Sequence, residues 1–246
     1  MSSRAEKREQ TFAEIVRTSR TLLAEGEDPS LRAVAARMGL TAPALYRYVA
    51  NHQELVDLVA FEIDRDATDG FRAAADRHAA DDPAARLVAA IAAFRRWALD
   101  HPREFALVFA NPVAESSCIR RELVTVASSG HFLTGLVHDV WVRQDFPLPP
   151  PESLDPAVLE AVTDPLLPAD VDHIAQVDRG LVWIYMRSWA SLYGVVTLEV
   201  FGHLDPRVRD SGALFVDVMA FWIDEFGLGD DRERLVALMQ AELRGP

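Results

Sequence analysis

The fold of this chain is decided by the stretch Gly39-Leu40-Thr41-Ala42-Pro43-Ala44-Leu45-Tyr46-Arg47-Tyr48-Val49. Gly39 is suited to the positive φ of a sharp turn, and Leu40 is expected to fill the small core beside it. Thr41 is suited to cap a helix that runs through Val49, and Pro43 is tolerated in the first turn of that helix. The stretch therefore predicts a turn followed by a short helix.

Two more helices are predicted before this stretch. In the first, apolar residues recur at spacings of three and four, with Ser3 and Glu6 as a capping box and Gly26 as the stop. Ser30 then caps a short helix over residues 31–38, which has apolar residues on one face. Three short helices, the last two joined by a tight turn, follow the helix-turn-helix plan of DNA-binding proteins.

The remainder of the chain also has helical periodicity. Helices are predicted over about residues 51–77, 83–100, 102–110, 116–143, 170–201, 206–226 and 230–243. Asn51 and Glu54 form the predicted cap of the first of these helices. Seven prolines crowd residues 144–168, which predicts a surface loop with at most a short helix near residues 157–161. No strand pattern is visible, so an all-α fold is expected. We predict a three-helix domain over residues 1–50, a connecting helix over about residues 51–77, and a larger helical bundle over residues 78–246.

The charge of the chain is distributed unevenly. Of its 246 residues half are hydrophobic, which is enough for a sizeable core, and the net charge is −13. Residues 1–53 hold eight basic and six acidic side chains, a net charge of +2, so the remainder carries −15. This asymmetry favours an N-terminal part that can approach DNA and an acidic remainder that the DNA phosphates repel.

One apolar run raises the question of a membrane. Leu181–Leu198 is long enough to span a bilayer, and Arg187 is its only charge. An arginine in mid-span is costly in lipid, so a buried interface helix is the better interpretation and no membrane partner is expected. The single Cys118 fits a reducing cytosol, and the charged first 30 residues lack a secretory apolar segment. These features predict a cytoplasmic protein.

With these patterns in place, the sequence resembles the TetR family of bacterial regulators. The resemblance is carried by residues 15–26, 30–35, 39–49 and 51–55, about a fifth of the chain, where hydrophobic, turn and aromatic positions agree in register. A weaker likeness involves Trp189-Ala190-Ser191-Leu192-Tyr193-Gly194 and the segment from Phe94 to Phe109. These look like the branch with a Trp-His-Gly type of C-terminal domain, although Tyr193 stands where that motif has His.

The resemblance implies a role in DNA binding for nine residues. Thr41, Tyr46 and Tyr48 would contact phosphates, while Ala42, Pro43, Ala44 and Arg47 would approach base edges or sugars. Arg32 and His52 complete the set. His52 stands where the family often has Lys, and a neutral His is a weaker phosphate partner.

The family also implies a symmetric homodimer with a ligand pocket in each regulatory domain. Apolar stripes on the last two long helices are candidates for the dimer interface: Val182, Tyr185, Trp189, Leu192, Val196, Leu214, Val218, Phe221 and Trp222. Aromatic residues on several helices are candidates for the pocket: Phe94, Trp97, Phe105, Phe109, Phe132, Tyr185 and Trp189. Each of these rings fits either a pocket wall or an ordinary core position.

Catalytic and metal sites are weakly supported. The chain contains no G-x-S-x-G motif, phosphate-binding loop or dinucleotide fingerprint, so neither catalysis nor a cofactor is expected. His131, His138 and Asp139 form only a thin metal constellation, and histidines with structural or solvent contacts are the favoured interpretation.

The sequence therefore predicts a repressor that binds a palindromic DNA operator as a homodimer and leaves it when a small, mostly apolar effector binds. Two alternatives stay open. One is a DNA-binding regulator that has no ligand of its own and is controlled by a partner protein. The other, more remote, is a helical enzyme.

Overall fold

A computed structural model of the chain describes residues 4–110, 129–163 and 174–245. In these ranges the regular elements are helices and no strand occurs, which confirms the all-α prediction. The α-helices are α1 (Arg4–Glu25), α2 (Leu31–Arg37), α3 (Ala42–Leu45), α4 (His52–Ala75), α5 (Pro83–Asp100), α6 (Pro102–Phe109), α7 (Ser129–Gln144), α8 (Pro156–Thr163), α9 (Gly180–Val200), α10 (Pro206–Ser211), α11 (Ala213–Glu225) and α12 (Arg232–Leu243). Short 3₁₀ turns lie at Pro151–Ser153, Gln176–Asp178 and Gly229–Asp231.

These helices form two compact units. Unit 1 comprises residues 4–66 and 101–110, and unit 2 comprises residues 67–100 together with the described residues from 129 onward. Helix α4 is continuous across the boundary at residues 66 and 67, so it contributes to both units. Of the predicted helices, the parts over residues 111–128 and 170–173 lie outside the described residues.

The turn between α2 and α3 is set by the backbone. Ser30 caps α2 by accepting the N–H of Ala33, as predicted. Gly39 has a φ of +67°, its N–H donates to the carbonyl of Ala36, and the N–H of Leu40 donates to the carbonyl of Ala35. This is a Schellman ending, which needs a residue that tolerates the left-handed conformation. The chain therefore reverses direction at Gly39, directly after α2.

Leu40 does not fill the core as expected, because it follows this reversal and stays 36% exposed. Val34, Leu45 and Val49 fill that space instead and are almost completely buried. The predicted extent of the third helix is also wrong. Helix α3 ends at Leu45, and residues 46–48 form a turn in which the N–H of Tyr48 donates to the carbonyl of Leu45.

The core of unit 2 is built around α5. This helix is rich in alanine and is buried on most of its circumference, which lets α7 and α12 pack closely against it. Helices α9 and α11 pack against each other in the same unit. Helix α8 confirms the short helix expected near residues 157–161. In the described residues no helix is both long and apolar enough to cross a membrane.

The single helix predicted over residues 206–226 is interrupted. Gly212 adopts a φ of +66°, which ends α10 and begins α11. A Cβ at this position would also lie 3.2 Å from the Cδ1 atom of Leu243. Since apolar periodicity is insensitive to one left-handed residue, the sequence pattern does not reveal the break.

Candidate nucleic-acid interface

The recognition segment lies at the surface of unit 1. Leu45 and Val49 point into the core, and this orientation leaves the neighbouring side chains accessible. Tyr46 is 52% exposed, and Thr41, Pro43 and Arg47 are exposed as well, whereas Ala42 and Ala44 are partly covered. The α2–turn–α3 arrangement therefore presents a short strip of exposed polar and aromatic side chains that includes Thr41, Tyr46 and Arg47. The buried apolar side chains of Leu45 and Val49 support it from inside.

Two helix starts lie in this strip. Thr41 occupies the N-cap position of α3, but its hydroxyl makes no capping hydrogen bond, so this group stays available to a ligand. At α4, Asn51 Oδ1 accepts the N–H of Glu54 at 2.9 Å, and the Glu54 carboxylate accepts the N–H of Ala50. This confirms the predicted capping pair and places the exposed His52 in the first turn of α4.

The cations of unit 1 divide into paired and unpaired groups. Arg37 is held by Glu25 at 2.6 Å, and Arg17 lies 3.6 Å from Glu14. Arg32 and Arg47 are exposed and have no carboxylate partner in the described part of the chain. Two free guanidinium groups flanking α3 give this surface a local positive charge in a chain that is acidic as a whole.

The two tyrosines of the segment have different surroundings. Tyr48 is half-buried, and its ring meets the ring of Phe12 edge-on at a centroid distance of 5.8 Å. The guanidinium of Arg8 lies over the Phe12 ring, 5.3 Å from its centroid. Tyr48 therefore braces the recognition segment against α1, while Tyr46 projects toward solvent.

A network that sequence reasoning missed anchors α6 to α1. Arg20 donates to Glu104 at 2.8 Å and to Asp66 at 2.7 Å, and Arg103 donates to the carbonyl of Leu23 at 2.8 Å. Partial burial acts to lower the pKa of Arg20, but the two carboxylates outweigh it and raise that pKa. Because the partners are up to 84 residues apart, no local pattern could have revealed this contact.

The predicted pocket residues are divided between the two units. In unit 2, Phe94 meets Trp97 at a ring distance of 6.4 Å and Trp189 at 5.7 Å, and Phe71 meets Phe94 at 5.6 Å. Phe132 and Tyr185 are buried in the same unit. Phe105 and Phe109 form a separate pair in unit 1, with a centroid distance of 5.1 Å.

Unit 2 also contains an open cleft that sequence patterns did not suggest. Its volume is about 650 Å³, and it lies between α10, α11 and α12 with Arg95 at its base. None of the seven predicted pocket residues lines it. Among the described residues no group of three His, Cys, Asp or Glu side chains is placed to hold a metal ion.

The predicted interface residues differ in their burial. Five of them are already covered within their own chain: Val182, Tyr185, Leu192, Val196 and Trp222. The other four retain accessible surface, and Phe221 is 50% exposed. Leu198 and Phe201 at the end of α9 are also exposed, although sequence analysis did not select them.

Comparisons with known proteins agree with this architecture. Residues 87–221, more than half of the chain, match the family model described as the tetracyclin repressor-like, C-terminal domain. The HTH-type transcriptional regulators Rv1816 of Mycobacterium tuberculosis and Mb1846 of Mycobacterium bovis are each 29% identical over 225 residues, covering 87% of this chain and 92% of theirs.

A solved structure has a similar fold. The crystal structure of SCO4313, which is described as a regulatory protein, aligns over 100% of both chains with a TM-score of 0.55 and 24% identity. The helix-turn-helix of unit 1 and the family match over residues 87–221 together settle the assignment. The chain belongs to the TetR family of helix-turn-helix transcriptional regulators.

Proposed function

We propose that this regulator is a repressor that binds a palindromic operator as a homodimer and is released by a small, mostly apolar effector. The observation that carries the DNA-binding part is the exposure of Arg47, without a carboxylate partner in the described residues, beside the free hydroxyl of Thr41. A repressor acts where the chromosome lies, so a cytoplasmic location belongs to the same proposal.

In this proposal the recognition segment enters the major groove. Arg47 reads a base edge, because guanidinium groups bind guanine through two hydrogen bonds, and the exposed apolar surface of Pro43 contacts base or sugar. Ala42 and Ala44 let the backbone approach closely. Thr41, Tyr46, Arg32 and His52 contact phosphates, which fix the register of the protein on the duplex. Tyr48, braced by Phe12, holds this surface in place and presents its hydroxyl to the backbone.

The proposed dimer forms through α9 and α11. Leu214, Val218 and Phe221 share the accessible face of α11, and Trp189 retains accessible surface on α9. Exposed apolar side chains on adjacent helices are stabilised when a two-fold axis pairs them into a four-helix interface. The five interface candidates that are buried within the chain would support this face from inside.

The proposed effector site lies among the rings of unit 2. Phe94, Trp97, Phe132, Tyr185 and Trp189 come from three helices, α5, α7 and α9, which offer apolar walls with few polar atoms. Helix α4 connects this region to DNA, since it carries Phe71 against Phe94 and, about 28 Å away along the helix, the exposed His52. A ligand that favours one position of Phe71 would therefore shift α4.

Selection from a pool of random DNA duplexes tests the DNA-binding proposal. The full chain should enrich a palindrome whose half-sites lie one helical turn apart, ~34–36 Å, or a multiple of it. Arg47→Ala should lower affinity for the enriched sequence about tenfold or more, because one base contact contributes about 1–3 kcal/mol. Arg207→Ala, an equally exposed arginine in unit 2, serves as the control and should bind like the wild type. Failure to enrich any sequence would contradict the proposal.

A further inference from the structure

Arg179, directly before α9, is a buried cation without a carboxylate partner among the described residues. It is 8% exposed, and its Nε and Nη1 atoms are buried and find no hydrogen-bond acceptor in that part of the chain. Arginine stays protonated in proteins, so this charge cannot be removed by losing a proton. The charge of the buried Arg95 in the same unit is compensated, since Arg95 donates hydrogen bonds of 2.7 and 3.0 Å to the carboxylate of Glu199.

The first turn of α9 adds further donors at the same place. Leu181 is 0% exposed, and neither its N–H nor that of Gly180 donates to a backbone carbonyl among the described residues. The first turn closes instead through the N–H of Val182, which donates to the carbonyl of Arg179. Because α9 is 21 residues long, its N-terminus carries the partial positive charge of the aligned peptide dipoles. Buried donors of two kinds therefore meet at one helix start.

The surroundings of this helix start are apolar and aromatic. A Cβ on Gly180 would overlap the carbonyl oxygen of Pro149, so the segment that follows α7 lies directly against α9. In that segment the ring of Phe146 lies 5.3 Å from that of Phe226, which in turn lies 5.5 Å from Trp222. The indole Nε1 of Trp222 is also buried without an acceptor among the described residues. The segment that covers the start of α9 therefore carries an aromatic ring cluster that begins three residues before Pro149.

We propose that Arg179 and the first turn of α9 form an anion site that binds the carboxylate of an aromatic acid. The guanidinium and the free N–H groups satisfy the carboxylate, and the rings around Phe146 cover its apolar part. This site shares no residue with the proposed effector site, so the binding of such an acid does not rest on the proposed function.

Benzoate and benzamide test this proposal, since they share size and ring but differ in charge. Their affinities for the full chain without DNA are measured by calorimetry at matched ionic strength. The wild type should bind benzoate at least about tenfold more tightly than benzamide, because charged hydrogen bonds contribute about 1.5–3 kcal/mol. Arg179→Met should abolish that preference. Arg207→Met, which removes an exposed arginine of the same unit, should retain it. Equal affinities in the wild type, or an unchanged preference in Arg179→Met, would overturn the proposal.

The stability of the unliganded variants separates a ligand role from a structural one. Arg179→Met removes a buried charge that nothing in the described residues satisfies, so its melting temperature without benzoate should equal or exceed that of the wild type. A lower melting temperature in both Arg179→Met and Arg179→Gln would show that the arginine stabilises the fold and would overturn the assignment. Operator affinity with and without benzoate is then measured separately. If benzoate binds but leaves operator affinity unchanged, the anion site stands and acts separately from the proposed release mechanism.

Discussion

Arg95 on α5 and Glu199 on α9 form a buried, two-pronged ion pair. Arg95 Nε donates to Glu199 Oε2 at 2.7 Å and Nη2 donates to Oε1 at 3.0 Å, while Nη2 also donates to the carbonyl of Arg209 at 2.6 Å. The two side chains are 7% and 0% exposed. Since Phe215 on α11 lies under the guanidinium at 5.5 Å, this pair joins the helix at the centre of unit 2 to both proposed dimer helices.

Removal of Glu199 should therefore destabilise the protein strongly. Glu199→Ala leaves the Arg95 charge buried without its carboxylate, which should lower the free energy of unfolding by about 3–5 kcal/mol. Chemical denaturation measures this change. The double variant Arg95→Met with Glu199→Ala should regain part of the loss, because it removes the stranded charge as well. Arg207→Ala, whose pair with Asp205 is exposed, should leave the stability nearly unchanged. A Glu199→Ala effect no larger than that of the control would contradict a role for the pair.

Asp82 should make the stability of unit 2 depend on pH. It caps α5 by accepting the N–H of Ala85 at 3.0 Å, and it accepts a hydrogen bond from Arg234 at 2.8 Å. Partial burial acts to raise the pKa of Asp82, but these hydrogen bonds outweigh it and hold the pKa below its usual value. A lowered carboxyl pKa stabilises the fold above the unfolded value, and this contribution is lost as the pH falls through the folded value.

Asp82→Asn should accordingly lower the free energy of unfolding at pH 7 by up to about 1 kcal/mol, because the amide can keep the cap but loses the ion pair with Arg234. The difference from the wild type should shrink as the pH is lowered through the acidic range, where Asp82 becomes protonated. Denaturation midpoints between neutral and acidic pH measure it. Asp139→Asn, at an exposed position of α7, is the control and should show no such trend. A gap that stays constant down to the most acidic pH would rule out the charge of Asp82 as its cause.

Local patterns in the sequence predicted most of the elements of this fold. Ser30, Asn51 with Glu54, and the Pro83 start of α5 lie where capping chemistry places helix starts, and each start is confirmed. The prediction for Leu40 was wrong because its exposure depends on how the Schellman turn aims the chain, which hydrophobicity does not encode. The break at Gly212 escaped notice for a similar reason.

The candidate site was less predictable than the fold. Exposure of Tyr46 and burial of Leu45 follow from helical periodicity, so the recognition surface could be drawn in advance. The apolar stripe of α9 could not show which face meets its own unit, and Val196 and Leu192 proved to be interior. The contact of Arg20 with Glu104 and the unsatisfied Arg179 depend on long-range packing, which one sequence without structure does not disclose.

Arg20, Glu104 and Asp66 form a clamp that should stabilise unit 1. Glu104→Ala removes two hydrogen bonds from Arg20 in a partly buried setting, at 2.8 and 3.3 Å. We expect the free energy of unfolding to fall by about 1–3 kcal/mol, since hydrogen bonds to charged groups contribute that much. Glu25→Ala breaks the exposed pair with Arg37 and should have a clearly smaller effect on the free energy of unfolding. Hydrogen exchange should localise the Glu104→Ala effect to α1 and α6, and an effect confined to unit 2 would argue against the clamp.

The dependence of DNA affinity on salt concentration should distinguish phosphate contacts from base contacts. Arg32→Ala should weaken binding to operator and unrelated duplexes alike and reduce the slope of log affinity against log salt by about 1. Thr41→Val should also weaken all duplexes equally, yet leave stability unchanged, because the hydroxyl caps nothing. Affinities over a range of salt concentrations supply both quantities. If either variant lost affinity for the operator alone, the residue would be assigned a base contact instead of a phosphate contact.

Phe221 should decide the oligomeric state. Its ring is 50% exposed on α11, and Val218 and Leu214 lie one and two turns before it on the same face. Phe221→Asp places a charge at the centre of the proposed interface, where it would be buried without a partner, so the variant should be monomeric at micromolar concentrations. A monomer engages only one half-site, and its affinity for a palindromic operator should therefore fall far more than its affinity for a single half-site. Val142→Asp introduces the same charge at an exposed apolar position of α7 and should leave the dimer intact. Sedimentation velocity measures the assembly state of all three proteins, and a wild type that sediments as a monomer would falsify the proposed interface.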